Sequence, residues 1–327
     1  MRERELDIRF HSILGDLMRS FINEKLACGY RYITEIRKLQ RLDRFFCDKG
    51  LTTITLSKQV VEEWTAKQPH ESPSTQKQRI ALLRQFALYM HRRGLQVYVP
   101  DSRMTSMNRL DFTPYIFSHD QIHRLIEASD RLSKDYLSPL RHLTMPIIFR
   151  LLYGCGMRVG EVLHLRVADV DLKSGIITVR EGKFRKDRLV PVAPSIVERM
   201  RKYAAILGVR DPDAFFFPAP DGGRNQQGII YKYFRRFLRM SGIPHGGRGK
   251  GPRVHDIRHT FAVHRLESWY RNGADLGAML PVLAVYLGHQ RLAGTQRYLR
   301  LTPDIFPDIT ARLEESVGGI IPRRTDS

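Results

Sequence analysis

Apolar residues recur every three or four positions through the first 93 residues, lose that period between 94 and 117, and regain it from 118 onward. That interruption constrains the fold most, because each periodic block has its own apolar face to bury. Residues 9–27 place Phe10, Ile13, Leu14, Leu17, Phe21 and Ile22 on one helical face, and Gly29 ends the element. Residues 31–48 repeat the pattern with Ile33, Ile36, Leu39, Leu42, Phe45 and Phe46. Ser57 is the expected N-cap of a third helix reaching about residue 67. After the break "ESPS", a fourth helix over 75–93 turns Ile80, Leu83, Phe86 and Met90 inward. The unpatterned stretch holds Gly94, Pro100 and Pro114 and reads as a linker. The expected organisation is a helical domain over 1–95, a linker over 96–117 and a second domain over 118–327.

The second domain opens on "SHDQ", a capping-box pattern with Ser118 as cap and Gln121 reaching back, before a helix over 119–129. An apolar helix is expected around 139–153, then a glycine-rich turn entering a short helix. "GIITVREGKFRKDRLVPV" reads as two strands around a turn at Gly182–Lys183. Helices over 194–207 and 226–240, a basic glycine loop "HGGRGKG", further helix to 288 and a last helix over 303–316 complete the chain. The fold class is mainly α with a small β-sheet in the second domain.

Charge narrows the partner. The chain holds 54 Lys and Arg against 34 Asp and Glu, a net of +20, divided as +8 over 1–110 and +12 over 111–327. A cationic excess on both domains suits a polyanion, and nucleic acid is the commonest one. On the fourth helix Lys77, Arg79, Arg84, Arg92 and Arg93 form a basic face, either plain solvated surface or a grip on a duplex backbone. Arg185 and Lys186 on the hairpin, and Arg248 and Lys250 in the glycine loop, are further candidate DNA contacts. Three widely spaced cysteines argue against a disulfide scaffold and a structural zinc site. No apolar run suits a membrane span, and the charged N-terminus lacks a signal-peptide core. A soluble intracellular protein is expected.

Chemistry concentrates in the second domain. In "HDIRHTFAVHR", His255 and Arg258 lie three apart on one helical face, where imidazole and guanidinium can both donate to one phosphate. Arg158 follows the turn Gly154–Cys155–Gly156, and Glu161, three residues on, can orient it or merely pair with it. Lys183 at the hairpin tip competes with Arg185 and Lys186 for a role at a phosphate. His289 follows the helix-ending Gly288, and Tyr298 lies nine residues beyond it. His259 and His264 are expected to be structural or backbone-contacting. "GRGK" lacks both the preceding strand and the GKS/T ending of a phosphate-binding P-loop.

Taken together, "YGCGMRVGEVLHL", "GKFRKDRLVPV", "HDIRHTFA", "LGHQ" and "TQRYLR" resemble, in order and spacing, the tyrosine recombinases: the phage-integrase and Xer-type DNA strand-exchange enzymes. The motif-level resemblance spans about 118–315. Residues 8–93 match only in kind the SAM-like core-binding domain of that family. The resemblance implies that Tyr298 attacks the scissile phosphorus to give a 3′-phosphotyrosyl link, with no metal, ATP or other cofactor. It gives Arg158 and Arg258 the non-bridging oxygens, Lys183 the departing 5′ oxygen, His289 a phosphate oxygen, and His255 a share in taking the tyrosine proton. Glu161 becomes the orienting residue behind Arg158. The implied partner is double-stranded DNA, gripped by a C-shaped clamp in a homotetramer or a heteromer with a related recombinase. Residues 303–317 would dock on a neighbouring protomer through Leu301, Ile305, Ile309 and Leu313. A cytoplasmic, nucleoid-associated location follows. The lack of a separate arm-binding domain before residue 8 tilts the expectation towards Xer-like or transposon-encoded enzymes. Cys155 and Phe184 depart from the family pattern, and the stretch between Arg258 and His289 is longer than in compact members. Type IB topoisomerase-like or hairpin-resolving chemistry would use the same residues. A non-catalytic DNA-binding module is the alternative from another class.

Overall fold

A computed structural model of the chain describes residues 9–30, 32–101, 113–180, 187–247, 250–289 and 292–301. The chain divides into two compact units, Met1–Phe112 and Thr113–Ser327.

The first unit packs four helices, α1 (Gly15–Ala27), α2 (Ile33–Asp48), α3 (Lys58–Thr65) and α4 (Pro73–Arg92). Their apolar faces close on Phe21, whose ring meets Tyr32, Phe86 and Tyr89 within 6 Å between centroids. Ser57 and Ser72 cap α3 and α4 by accepting the backbone N–H of Val60 and Thr75, and Pro73 opens α4 where its missing N–H costs nothing. The first helix starts six residues later than its periodicity predicts. The buried Asp43 carboxylate on α2 accepts the backbone N–H of His11 at 2.7 Å and of Ser12 at 3.0 Å, together with the Ser12 hydroxyl. These bonds satisfy the entering chain in a non-helical path while Phe10 still reaches the core.

Arg79 is corrected from surface cation to buried strut. It is 8% exposed, donates to both Glu71 carboxylate oxygens at 3.0 and 2.7 Å and to the Ala66 carbonyl at 3.0 Å, and lies over the Trp64 ring. Its position on the helix turns it towards the end of α3. Arg84 is half-buried and donates to the Pro100 carbonyl, whereas exposed Arg92 pairs with Glu24 and exposed Arg93 lies over Tyr89. Lys77 is exposed.

The second unit begins with α5 (His119–Asp130), where Ser118 and Gln121 form the expected capping box. It continues through α6 (Arg141–Gly154) and α7 (Val159–His164) into an antiparallel sheet of β1 (Val170–Asp171), β2 (Ile176–Val179) and β3 (Arg188–Pro191), in that order. Ile177, Val179 and Val190 face the core. β1, too short to show a period, is an addition to the two expected strands. Residues 181–186, with Lys183, Arg185 and Lys186, lie outside the described residues, as do Arg248 and the 303–317 segment.

Helices α8 (Pro194–Leu207), α9 (Gln227–Met240), α10 (Val254–Arg271), α11 (Leu276–Leu287) and α12 (Ala293–Gln296) follow, and a 3₁₀ turn over Arg297–Leu301 closes the described chain. Among the described residues, no helix is long and apolar enough to cross a membrane. α10 sets the architecture of this unit. Twelve of its 18 residues are buried, so it runs through the unit instead of along its surface. Six of the twelve are polar: Asp256, Arg258, His259, Thr260, His264 and Glu267. Buried polar groups need specific partners, so the surroundings of α10 must be built around them.

Candidate active site

The site forms where α10 passes the turn between α6 and α7. Gly156 in that turn has φ +57°, and an added Cβ would lie 2.4 Å from the Phe261 ring of α10. Only glycine permits both the left-handed backbone and the close approach. The approach sets the Gly156 carbonyl 2.6 Å from Nη1 of Arg258, and the Leu287 carbonyl at the end of α11 accepts from Nη2 at 2.5 Å. Arg258 is 2% exposed. Two main-chain carbonyls therefore fix the plane of its guanidinium. Burial, then the nearby Arg158 charge, lowers its pKa to about 9, so it stays a cation at neutral pH.

Arg158 is the N-cap of α7. Its backbone N–H donates to Glu161 Oε2 at 2.8 Å and its guanidinium to Oε1 at 2.6 Å. The same carboxylate receives two bonds from Arg188 of β3, at 2.9 and 2.7 Å. Burial pushes the Glu161 carboxyl up, but the bonds and charge of Arg188, and then those of Arg158, overcome this and leave its pKa at about 2. Arg188 is thus a member of the site that motif reading passed over. Its signal lay in "RKDRLVPV", where the inward-facing period of the strand leaves Arg188 beside the sheet end, but three neighbouring cations masked it.

His289 follows Gly288, which ends α11 in the left-handed conformation at φ +66°. Its Nε2 accepts from Arg258 at 3.3 Å, so Nδ1 carries the proton and donates to the Thr295 hydroxyl at 2.8 Å. That neutral tautomer agrees with its pKa, lowered to about 4 by desolvation and then by the Arg258 and Arg158 charges. His255 is likewise lowered to about 4, by desolvation first and then by Arg258 and Arg158.

Tyr298 sits in the terminal 3₁₀ turn, 1% exposed, with its ring stacked 6.1 Å from that of His289. Its hydroxyl shares a 3.0 Å hydrogen bond with Nδ1 of His259. Of the two alternatives expected for His259, structural or backbone-contacting, this side-chain bond favours the first, and it is His259, not His255, that meets the tyrosine oxygen. His255 lies one ring further out, edge-on to His259 at 4.8 Å. The one-turn offset is helical geometry: His259 is four residues beyond His255 on the same side of α10 and lies further into the unit. Lys250 is exposed in the glycine loop.

The structure therefore brings Arg158, Glu161, His255, Arg258, His289 and Tyr298 of the expected set together and adds Arg188 and His259. Two guanidiniums, of Arg158 and Arg188, share the Glu161 carboxylate, and that of Arg258 is held by main-chain carbonyls beside two neutral imidazoles, which leaves a cationic cluster next to a phenol. Such a cluster suits a tetrahedral anion.

Comparison with known proteins agrees. Residues 116–304 match the model of the phage integrase family. The chain is 32% identical over 302 residues to a Sinorhizobium fredii protein named "Putative integrase/recombinase y4rE", covering 90% of this chain and 94% of that one. It is 30% identical to tyrosine recombinase XerD of Rhizobium meliloti, covering 72% of this chain and 73% of the relative. Among solved structures, a lambda integrase dimer bound to a core site superposes with a TM-score of 0.62 at 15% identity, covering 86% of this chain and 94% of that one. At that identity the likeness is one of fold.

Proposed function

The chain is a tyrosine recombinase of the phage integrase family, and from that premise we propose that it recombines double-stranded DNA at a specific site with Tyr298 as nucleophile. The observation that carries this reading is the buried phenol beside Arg258 and the two arginines, Arg158 and Arg188, that share the Glu161 carboxylate. A phenol with a pKa near 10 is a weak nucleophile until its proton has an acceptor. Tyr298 oxygen bonds to the scissile phosphorus as the bond from phosphorus to the 5′ oxygen breaks. The product is a 3′-phosphotyrosyl link and a 5′-hydroxyl, and the retained ester energy supports rejoining to a partner strand. Arg158 and Arg258 face the charge that builds on the non-bridging oxygens, held in place before the reaction by Glu161 and by main-chain carbonyls. Lys183 delivers the proton to the departing oxygen. His289 turns from accepting to donating once a phosphate offsets the arginine charges and protonates it. The phosphate contacts of both units make binding strongly salt-dependent. Two protomers occupy a site and four join two sites.

The test needs no known target. Covalent protein–DNA adducts are isolated from expressing cells under denaturing conditions and the attached ends are sequenced, with Tyr298→Phe alongside. Adducts at DNA 3′ ends that converge on one sequence and vanish in the variant are expected. Adducts that persist in Tyr298→Phe, or that sit on 5′ ends, overturn the assignment. Exchange between two plasmids carrying that sequence separates recombination from relaxation of a single plasmid.

A further inference from the structure

Away from the phosphate site, α10 presents a second polar cluster. His264 and Glu267 lie three residues apart on one face of the helix, and His119 reaches them from the first turn of α5. One donor atom from each of the three lies within 4.8 Å of the other two. His264 and Glu267 are buried, while His119 is exposed and stacks on His264 at 3.8 Å between ring centroids. A cavity of about 220 Å³ opens beside them, lined by His119, Tyr153, His264 and Ser268 among others.

We propose that His119, His264 and Glu267 form a binding site for a divalent transition-metal ion of the zinc class, which clips the start of α5 to α10. Two imidazoles and one carboxylate are a common three-ligand set for zinc, with the fourth position left to water. The cavity supplies room for that water. Further support comes from Tyr153, whose hydroxyl bonds Nδ1 of His264 at 2.9 Å. A histidine ligand typically has its other ring nitrogen held by an outer hydrogen-bonding partner, which fixes the ring and directs Nε2 to the metal. Closing from the observed spacing to a tetrahedral edge of roughly 3.4 Å asks for a movement that exposed His119 can supply by turning out of the stack. His264 lies six residues beyond Arg258 and five beyond His259, so the ion would brace the helix that carries the phosphate site without touching that site.

The experiment uses the purified full-length chain after dialysis against chelator. Zn²⁺ is titrated by calorimetry with thermal melting in parallel, and Co²⁺ is titrated for its visible d–d absorption. The expected result is one ion per chain, a raised melting temperature and a tetrahedral Co²⁺ spectrum. His119→Ala, whose side chain is exposed, should fold normally and weaken binding at least about tenfold, within the 10- to 100-fold scale typical of disturbed metal sites. Glu267→Gln should do the same, and a double variant His255→Gln/His289→Gln should leave the affinity unchanged. Absence of a Co²⁺ spectrum and of any melting shift would overturn the proposal. Binding that survives His119→Ala but is lost in the His255/His289 double variant would overturn it too, by placing the ion at the phosphate site. None of these readouts depends on recombination, so the metal site stands or falls apart from the proposed activity.

Discussion

The hydroxyl of Tyr298 and Nδ1 of His259 meet at 3.0 Å inside the protein, with the tyrosine 1% exposed. The phenol proposed as nucleophile thus lies covered by protein atoms. The bond links the terminal turn to α10, so the same imidazole that holds the phenol is placed to receive its proton.

His259→Ala should separate these roles from simple DNA binding. Loss of a positioned proton acceptor is expected to slow covalent-adduct formation by about 10²-fold. Affinity for the DNA site, read by gel shift at fixed salt, should hardly change. His255→Ala should slow the same step less, because its ring is one position removed from the phenol. Equal loss of cleavage in both variants would count against His259 as the immediate partner.

Glu161→Gln tests the shared carboxylate. Removing its charge leaves Arg158 and Arg188 facing each other without a counter-ion. Breaking a buried pair from one side costs about 3–5 kcal/mol, and the partial exposure of Arg158 brings the expectation to about 2–3 kcal/mol. Denaturant unfolding measures that loss. Arg188→Lys should lose nearly as much, since an ammonium cannot make the two parallel bonds to Glu161. Cleavage should fall in both variants, because Arg158 loses the group that orients it.

Most of this was legible before any coordinates, because local rules and motif order carry it. The capping box at Ser118 and the helix over 194–207 follow from local spacing, and the gathering of Arg158, Arg258, His289 and Tyr298 from what the family resemblance of their motifs implies. What was not legible depends on neighbours distant in sequence. Asp43 draws His11 and Ser12 out of the first helix from 32 and 31 residues away. Arg79 has the right period for an outer face, yet Glu71 and Trp64 make burial favourable. Arg188 and His259 resemble their basic neighbours in the sequence, and only Glu161 and Tyr298, brought close by the fold, single them out.

Acid should separate the imidazoles from the carboxylate. His255 and His289 are held at about 4 in the folded chain against 6.5 ordinarily, so the unfolded chain binds more protons between those values. Stability therefore rises with pH from about 4 to 6.5 and is lost on acidification through that window. Glu161 is displaced in the same direction but lower on the scale, from 4.5 down to about 2, so its contribution is full above 4.5 and fades only below. Melting temperatures across pH should decline through the upper window in the native chain and flatten there in His255→Gln/His289→Gln. DNA phosphate favours the protonated imidazoles, so binding near pH 5.5 should take up protons, measurable by calorimetry in buffers of different ionisation enthalpy.

Gly156→Ala should be more damaging than its one methyl suggests. The new Cβ would meet the Phe261 ring at 2.4 Å, and φ +57° is unfavourable for any L side chain. Overpacking and backbone strain together are expected to cost about 2–4 kcal/mol. Gly273→Ala, at the end of α10, is the control, with φ +74° but nothing within 4 Å of the added carbon, so only the backbone cost of about 1–2 kcal/mol remains. Melting the two variants side by side isolates the close approach. Activity should diverge further than stability, because displacing the Gly156 carbonyl removes one of the two acceptors that fix Arg258. If Gly156→Ala melts like Gly273→Ala and cleaves normally, the turn yields to the methyl and the Gly156 carbonyl is not needed to fix Arg258.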